Sequence, residues 1–443
     1  MKTWVTHFWE RIRTSFWFVP SLLSAGAVLL ASLMLELDRE WENALTSTFP
    51  SLKTASASGT RELISTAATA TLSLAGITFS GVLVAMTLAS SQFGPRLLRN
   101  FIRARSTQLT LGMLLSTFVY CLLVLRGIRS REEAEFVPHL AALMGFLSTL
   151  LSLGFFIFFI HRISTSLQAD QVAANVFEEL RQAIDQFFPE GRETDASEEE
   201  AEAESEDWKD LEDETPLLAR EDGYLLAIDM ETLVERCADH DLRCRVLKRP
   251  GHFLVKGTPI LGIPGKASLE NEVEESMIDC FLTGSLRTPE QDFEFEILQL
   301  VEVALRALSP GINDPFTAIT CIDFLGAANS TIARRKLPQQ VYHDGDGVPR
   351  VHSHPISFES GLDASFNQLR QTASSKPDIV IRLLEALTNI QRCCLTDAQR
   401  KAVRKHAHLI ASDVQRAEMN DSDRKEIMDR MEPFSAADQP SEK

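Results

Sequence analysis

Apolar residues crowd the first third of the chain. Four stretches, Trp17–Leu35, Leu63–Ala89, Gln108–Leu125 and Val137–Ile160, hold no Asp, Glu, Lys or Arg. A helix rises 1.5 Å per residue, so about 20 apolar residues cross the hydrocarbon core of a bilayer. Only a structure that bonds its own backbone is stable there, which predicts four transmembrane helices within residues 1–163. Lys2, Arg11 and Arg13 precede the first stretch, but no A-x-A-like cleavage site follows it, so it reads as a retained anchor.

Beyond Ile163 the pattern changes. In residues 164–188 the spacing of Leu167, Val172, Val176, Leu180, Ile184 and Phe187 predicts an amphipathic connecting helix that stops at Pro189-Glu190-Gly191. Residues 189–221 read as an acidic, disordered linker, because Ser197–Thr215 is dominated by carboxylates and has little apolar area to bury. Residues 222–268 predict a small β-rich module. Its strands are Tyr224–Ile228, Arg243–Lys248, His252–Val255 and Pro259–Ile263, with a helix over Glu231–Ala238 and reversals at Pro250-Gly251 and Lys256-Gly257.

Residues 269–430 read as a mainly helical domain with a hairpin near 341–356, followed by a disordered tail, 431–443. Glu270–Thr283 predicts one helix. Thr288-Pro289-Glu290-Gln291 reads as a capping box opening a second, whose Ile297, Leu300, Val301, Ala304 and Leu308 face a core. The expected fold class is therefore an integral membrane protein: a four-helix transmembrane region, then a cytoplasmic α+β region made of a small β-rich module and a helical domain.

Charge fixes the expected orientation. Lys2, Arg11 and Arg13, and then Arg96, Arg99, Arg103 and Arg105 in the second connection, have few acids beside them. Arg39, Lys53, Arg61, Arg129 and Arg131 lie among Glu36, Asp38, Glu40, Glu42, Glu132, Glu133 and Glu135. Positive-inside bias places both termini in the cytoplasm of a bacterial inner membrane. The seven scattered cysteines, without a C-x-x-C pair, suit a reducing compartment and suggest no zinc site. A net charge of −18 over 443 residues repels a phosphate backbone and removes nucleic acid from the expected partners, leaving the lipid bilayer and further copies of the chain.

Within the second span Thr66, Thr69, Ser73, Gly76, Ser80, Thr87 and Ser91 recur at steps of three, four or seven and make one face small and weakly polar. Such a face serves close helix packing or lines a wet pathway. Just after it, Arg96, Arg99 and Arg103 alternate with Leu and Phe as in a short helix lying on lipid headgroups.

The densest motif is Ala307-Leu308-Ser309-Pro310-Gly311-Ile312-Asn313-Asp314-Pro315-Phe316-Thr317-Ala318. Pro310 and Gly311 end one helix, and Asp314 with Pro315 opens the next. Two successive helix N-termini, with Arg287, Thr288 and Asp292 at the first and Arg306, Ser309, Asn313, Asp314 and Thr317 around the second, form a candidate anion or ligand site. The competing account is a tight connection in which Asp314 serves only its own helix. His343, Asp344, Asp346, His352 and His354 cluster at the hairpin and read as turn chemistry with exposed histidines rather than a metal centre. No G-x-S-x-G, Gly-Lys phosphate loop or H-E-x-x-H is present, so no catalytic residue and no cofactor is expected.

Gly284-x-x-Arg287-Thr288-x-x-x-Asp292, the Ala307–Ala318 motif and Phe93-Gly94-Pro95-Arg96 together resemble a bacterial family of predicted membrane proteins known as DUF2254, over about Trp4–Arg430. The resemblance implies an integral inner-membrane protein with a cytoplasmic domain and carries no activity. The leading reading is a membrane-anchored sensor, regulatory or permeation protein. The alternatives are an ion channel or small-solute transporter along the second helix, and an enzyme at the inner surface whose carboxylates, Asp292 and Asp314 for example, converge in a cleft.

Overall fold

The computed structural model describes residues 17–48, 57–93, 105–131, 134–166, 169–191, 208, 214–265, 269–354 and 356–435. The chain divides into two compact units, Met1–Gln171 and Val172–Lys443.

The first unit contains four long helices: α1 (Phe18–Thr48), α2 (Ala57–Phe93), α3 (Arg105–Gly127) and α4 (His139–Ser166). All four are long and apolar enough to cross a membrane, over Phe18–Glu40, Ala57–Leu88, Arg105–Gly127 and His139–Ser164. Helix α3 packs against the other three. Its Gly112 allows this closeness, since a Cβ there would meet Leu23 and the Pro20 backbone of α1. Thr117 and Ser152 exchange a buried hydroxyl bond of 2.8 Å between α3 and α4, which satisfies both groups away from water. A short hairpin, β1 (Arg129–Arg131) and β2 (Ala134–Phe136), joins these two helices.

Helix α1 continues past Leu35, so Glu36, Asp38, Arg39 and Glu40 are helical rather than part of an outer connection. Asp38 explains the extension. Its side chain is buried and accepts the Leu140 and Ala141 N–H groups at 2.9 and 2.8 Å, capping the otherwise unpaired start of α4 from a neighbouring helix. Tyr120 donates to the Ala141 carbonyl (2.9 Å) and Arg61 to that of Ile128 (3.1 Å) at the same end of the bundle.

The second unit opens with α5 (Ala169–Phe187), where Val172, Ala173, Val176, Leu180 and Ile184 are buried at helical spacing. Strands follow: β3 (Glu214–Leu218), β4 (Gly223–Ile228), β5 (Cys244–Val246), β6 (Phe253–Leu254), β7 (Pro259–Pro264) and β8 (Phe281–Gly284), with α6 (Met230–Asp239) after β4 and α7 (Asn271–Ile278) before β8. Helices α8 (Phe293–Ala307) and α9 (Pro315–Ile332) precede the hairpin β9 (Val341–His343) and β10 (Pro349–Ser353). Helices α10 (Phe358–Ala373), α11 (Pro377–Cys393), α12 (Asp397–Arg416), α13 (Asp421–Asp429) and α14 (Glu432–Ser435) complete it.

Two sheets result, ordered β3-β7-β5-β10-β9 and β6-β4-β8, with β5–β10 the parallel pair. Four expectations are corrected here. Residues 431–435, placed in a disordered tail, carry Met431 and the helix α14, and Met431 and Phe434 are buried. Glu214–Leu218 is not linker but an edge strand, because Leu217 reaches the core shared with Leu225, Leu233, Val246 and Leu261. Trp208, also placed in the linker, is buried and stacks on His352 with ring centroids 5.5 Å apart. Phe281–Gly284 leaves the helix expected over Glu270–Thr283 because it pairs with β4 and buries Phe281. Residues 192–207 of that linker lie outside the described residues.

Candidate functional site

The start of α8 is set by Asp292, not by Thr288. Its carboxylate accepts the Phe295 N–H at 3.2 Å, so Thr288–Gln291 form the turn before the helix and the expected capping box does not form. The same carboxylate, 3 % exposed, takes two bonds from Arg287: Nη2 to Oδ1 at 2.9 Å and Nε to Oδ2. Glu294 pairs with Arg249 and lies 3.7 Å from Arg287 Nη2. Two guanidiniums and two carboxylates thus neutralise each other. Gly251 makes room for them, at φ +92 and with no space for a Cβ beside the Asp292 carboxylate. Gln291 fixes the turn to β4 by accepting from the Ile228 N–H (2.9 Å) and donating to its carbonyl (3.2 Å). His252 lies close by. Burial, and then the charges of Arg249, Lys248 and Arg287, lower its pKa.

At the other end of α8, Ser309 donates to the Arg306 carbonyl (2.6 Å), and Asn313 takes the left-handed conformation (φ 49) that turns the chain. Asp314 caps α9, accepting the Thr317 N–H at 3.2 Å and the Thr317 hydroxyl at 2.5 Å. Lys376 donates to the Leu308 carbonyl at 2.8 Å, and Arg306 pairs with Glu302 on its own helix. The proposed site residues therefore form two groups at opposite ends of a 15-residue helix, about 22 Å apart. Asp292 and Asp314 do not share a cleft. In both groups the described bonds run to neighbours within the fold.

At the hairpin the His352 and His354 rings meet edge to face, with centroids 4.7 Å apart. His352 is buried under Trp208, and burial, then His354 and Arg245, lower its pKa to about 4, whereas Asp344 is occupied by the Val348 and Asp346 N–H groups and Arg350. Among the described residues no group of three or more His, Cys, Asp or Glu is placed to hold a metal ion.

On α2 the small face points away from the rest of the unit. Thr66, Thr69, Ser73, Gly76, Ser80 and Thr87 are exposed, while Ile64, Ala67, Ala68, Thr71, Ala75 and Thr78 are buried. The Thr69, Ser73 and Thr87 hydroxyls donate to the carbonyls four residues back, at 2.8 to 2.9 Å. The Ser91 side chain and the headgroup candidates Arg96, Arg99 and Arg103 lie outside the described residues.

One residue that sequence reasoning passed over stands out. Glu296 is buried, and its carboxylate accepts a bond from the Gln299 amide, at 2.6 Å. Burial, followed by the negative charges of Glu179 on α5 and of Asp292, raises its pKa to about 8. The signal was available: Glu296 stands three residues after Phe293 and four before Leu300, on the apolar stripe of α8.

Four helices long and apolar enough to cross a membrane, followed by a mixed helical and small-sheet unit, are the framework of a predicted membrane protein. The chain belongs to the family described as predicted membrane proteins (DUF2254), whose model matches residues 13–389. It is similar to the uncharacterized proteins Rv1290c of Mycobacterium tuberculosis and Mb1321c of Mycobacterium bovis, each 30 % identical over 361 residues, covering 80 % of this chain and 68 % of the relative. No solved structure matches it.

Proposed function

We propose that the chain is an inner-membrane regulatory or permeation protein, with both termini in the cytoplasm, that works as an assembly of several copies meeting through α2. The two-sidedness of α2 carries this reading. One face fills the four-helix unit, and the opposite face offers small side chains at alternating steps of three and four, the 3.5-residue period of left-handed helix pairs. Because that face looks outward, a solute path along it would be completed by neighbouring copies. The second unit is the regulatory part, and the carboxylates put forward for an enzyme, Asp292 and Asp314, lie at opposite ends of α8, which weighs against a catalytic role.

Ser73→Cys and Ser80→Cys, made in the full chain in native membranes, test it against Leu150→Cys on the exposed face of α4. Oxidative cross-linking of Ser73→Cys and Ser80→Cys into dimers is expected, together with modification by a water-soluble thiol reagent. Cross-linking without modification would leave the assembly and remove permeation. Neither result, with Leu150→Cys behaving identically, would remove both.

A further inference from the structure

Seven cysteines are present, and the structure brings two of them together. Cys237 lies in the last turns of α6 and Cys244 opens β5. Both are fully buried, and their Sγ atoms are 3.4 Å apart, joined by a thiol–thiol hydrogen bond. Six residues separate them in the chain, and Asp239, His240, Asp241 and Arg243 in that connection are exposed. Asp241 takes a left-handed conformation (φ 50) that returns the chain toward β5. The sulfurs of a disulfide lie about 2.05 Å apart, so this pair, at 3.4 Å, has to close by about 1.4 Å. Other thiols are engaged differently: Cys280 donates to the Ser276 carbonyl (3.6 Å), Cys394 to that of Ile390 (3.3 Å), and Cys393 accepts from Arg334 (3.0 Å).

We propose that Cys237 and Cys244 are a reversible oxidation site at which a peroxide converts two thiols into one disulfide. The Cys237 thiolate attacks a peroxide oxygen; the O–O bond breaks, giving a sulfenic acid and, with the released proton, one water. The Cys244 thiolate then attacks that sulfur; the S–O bond breaks, the S–S bond forms, and a second water leaves. Two sulfurs lose one electron each and one peroxide is reduced to two waters. The link staples α6 to β5, the strand held between β7 and β10 in the five-stranded sheet. Because both thiols are buried, and the bond to Cys237 and then burial hold the Cys244 thiol well above its ordinary pKa, both ionisation and entry of the oxidant require opening of the exposed turn between them, which makes the reaction slow. Small-molecule thiols reverse it through a mixed disulfide, so the state of the pair follows the redox poise of its compartment.

The test uses the full chain in detergent treated with hydrogen peroxide, alkylated in denaturant and cleaved without reductant. Cleavage after Arg236, Arg243 and Arg245 places the two cysteines on separate peptides. The expected product is one linked Cys237–Cys244 peptide pair, two hydrogens lighter than the sum, lost on adding dithiothreitol and accompanied by a rise of several degrees in Tm. Cys280→Ser should still form the link, and Cys237→Ala and Cys244→Ala should each abolish it. Full alkylation of both cysteines after treatment, or a link from either to Cys280, would overturn the proposal, and this readout does not depend on assembly through α2.

Discussion

The two units satisfy buried polar groups in different ways. In the first, described hydroxyls mostly return to the carbonyl of their own helix, as Thr71, Thr78 and Thr149 do, and the buried carboxylate of Asp38 is met by backbone N–H groups. In the second, buried or half-buried charge is met by opposite charge: Asp292 by Arg287, Glu294 by Arg249, and Asp413 by Arg370. The first pattern is the one a helix fit to cross a membrane needs, since hydrocarbon leaves polar groups only its own backbone, while long cationic side chains can be drawn inward where a surface meets water. Glu296 departs from both patterns: its carboxylate meets the Gln299 amide, and among the described residues neither a cation nor a backbone N–H group meets it.

The largest expected effect comes from breaking the second pattern. Arg287→Ala leaves the Asp292 carboxylate buried beside Glu294 and should destabilise the second unit by about 3 to 5 kcal/mol, read as a lower denaturant midpoint. Arg287→Lys, which cannot reproduce the two-pronged contact, should recover only part of the loss.

Glu296 sharpens the comparison through pH. Its pKa rises from an ordinary carboxylate value near 4.5 when unfolded to about 8 when folded, so between those values the folded state holds a proton that the unfolded state has released. Its favourable contribution is complete below about pH 4.5 and is lost as pH rises through 8. Glu296→Gln should therefore remove a fall in stability across that window and be more stable than the parent at pH 9 by about 2 to 3 kcal/mol. Equal pH slopes for the two proteins would show that the carboxyl is solvated.

Asp38→Ala tests the first pattern. Losing the cap on α4 should cost about 2 kcal/mol, seen as a lower Tm in detergent, with Asp38→Asn intermediate because its amide oxygen still accepts one N–H. The smallest effect belongs to Asp314→Ala, about 1 kcal/mol, an ordinary cap at a partly exposed helix start. An equally small change at Asp38 would erase the distinction between the units.

The spans were legible because twenty apolar residues have few other uses, and Asp314 was legible because cap and proline chemistry is local. Asp38 was not, since its partners, Leu140 and Ala141, are about a hundred residues away. The Asp292–Arg287 pair illustrates a subtler failure. Both residues were named, but a guanidinium near a helix start looks like an anion site until a carboxylate five positions on proves to be the anion. Phe281–Gly284 read as helix because its strand partner, Tyr224–Ile228, is supplied by distant sequence.

The parallel pairing of β5 with β10 also sets a timetable. About 100 residues separate Val246 from Pro349, and a ribosome adds roughly 5 to 20 residues per second, so one edge of β5 waits about 5 to 20 s for its partner to be made. Helices α8 and α9 emerge in that interval and can form on their own short-range contacts. A chain cut before Val341 leaves the sheet permanently without β9 and β10, and the unpaired edge of β5 is then open to pairing with another chain.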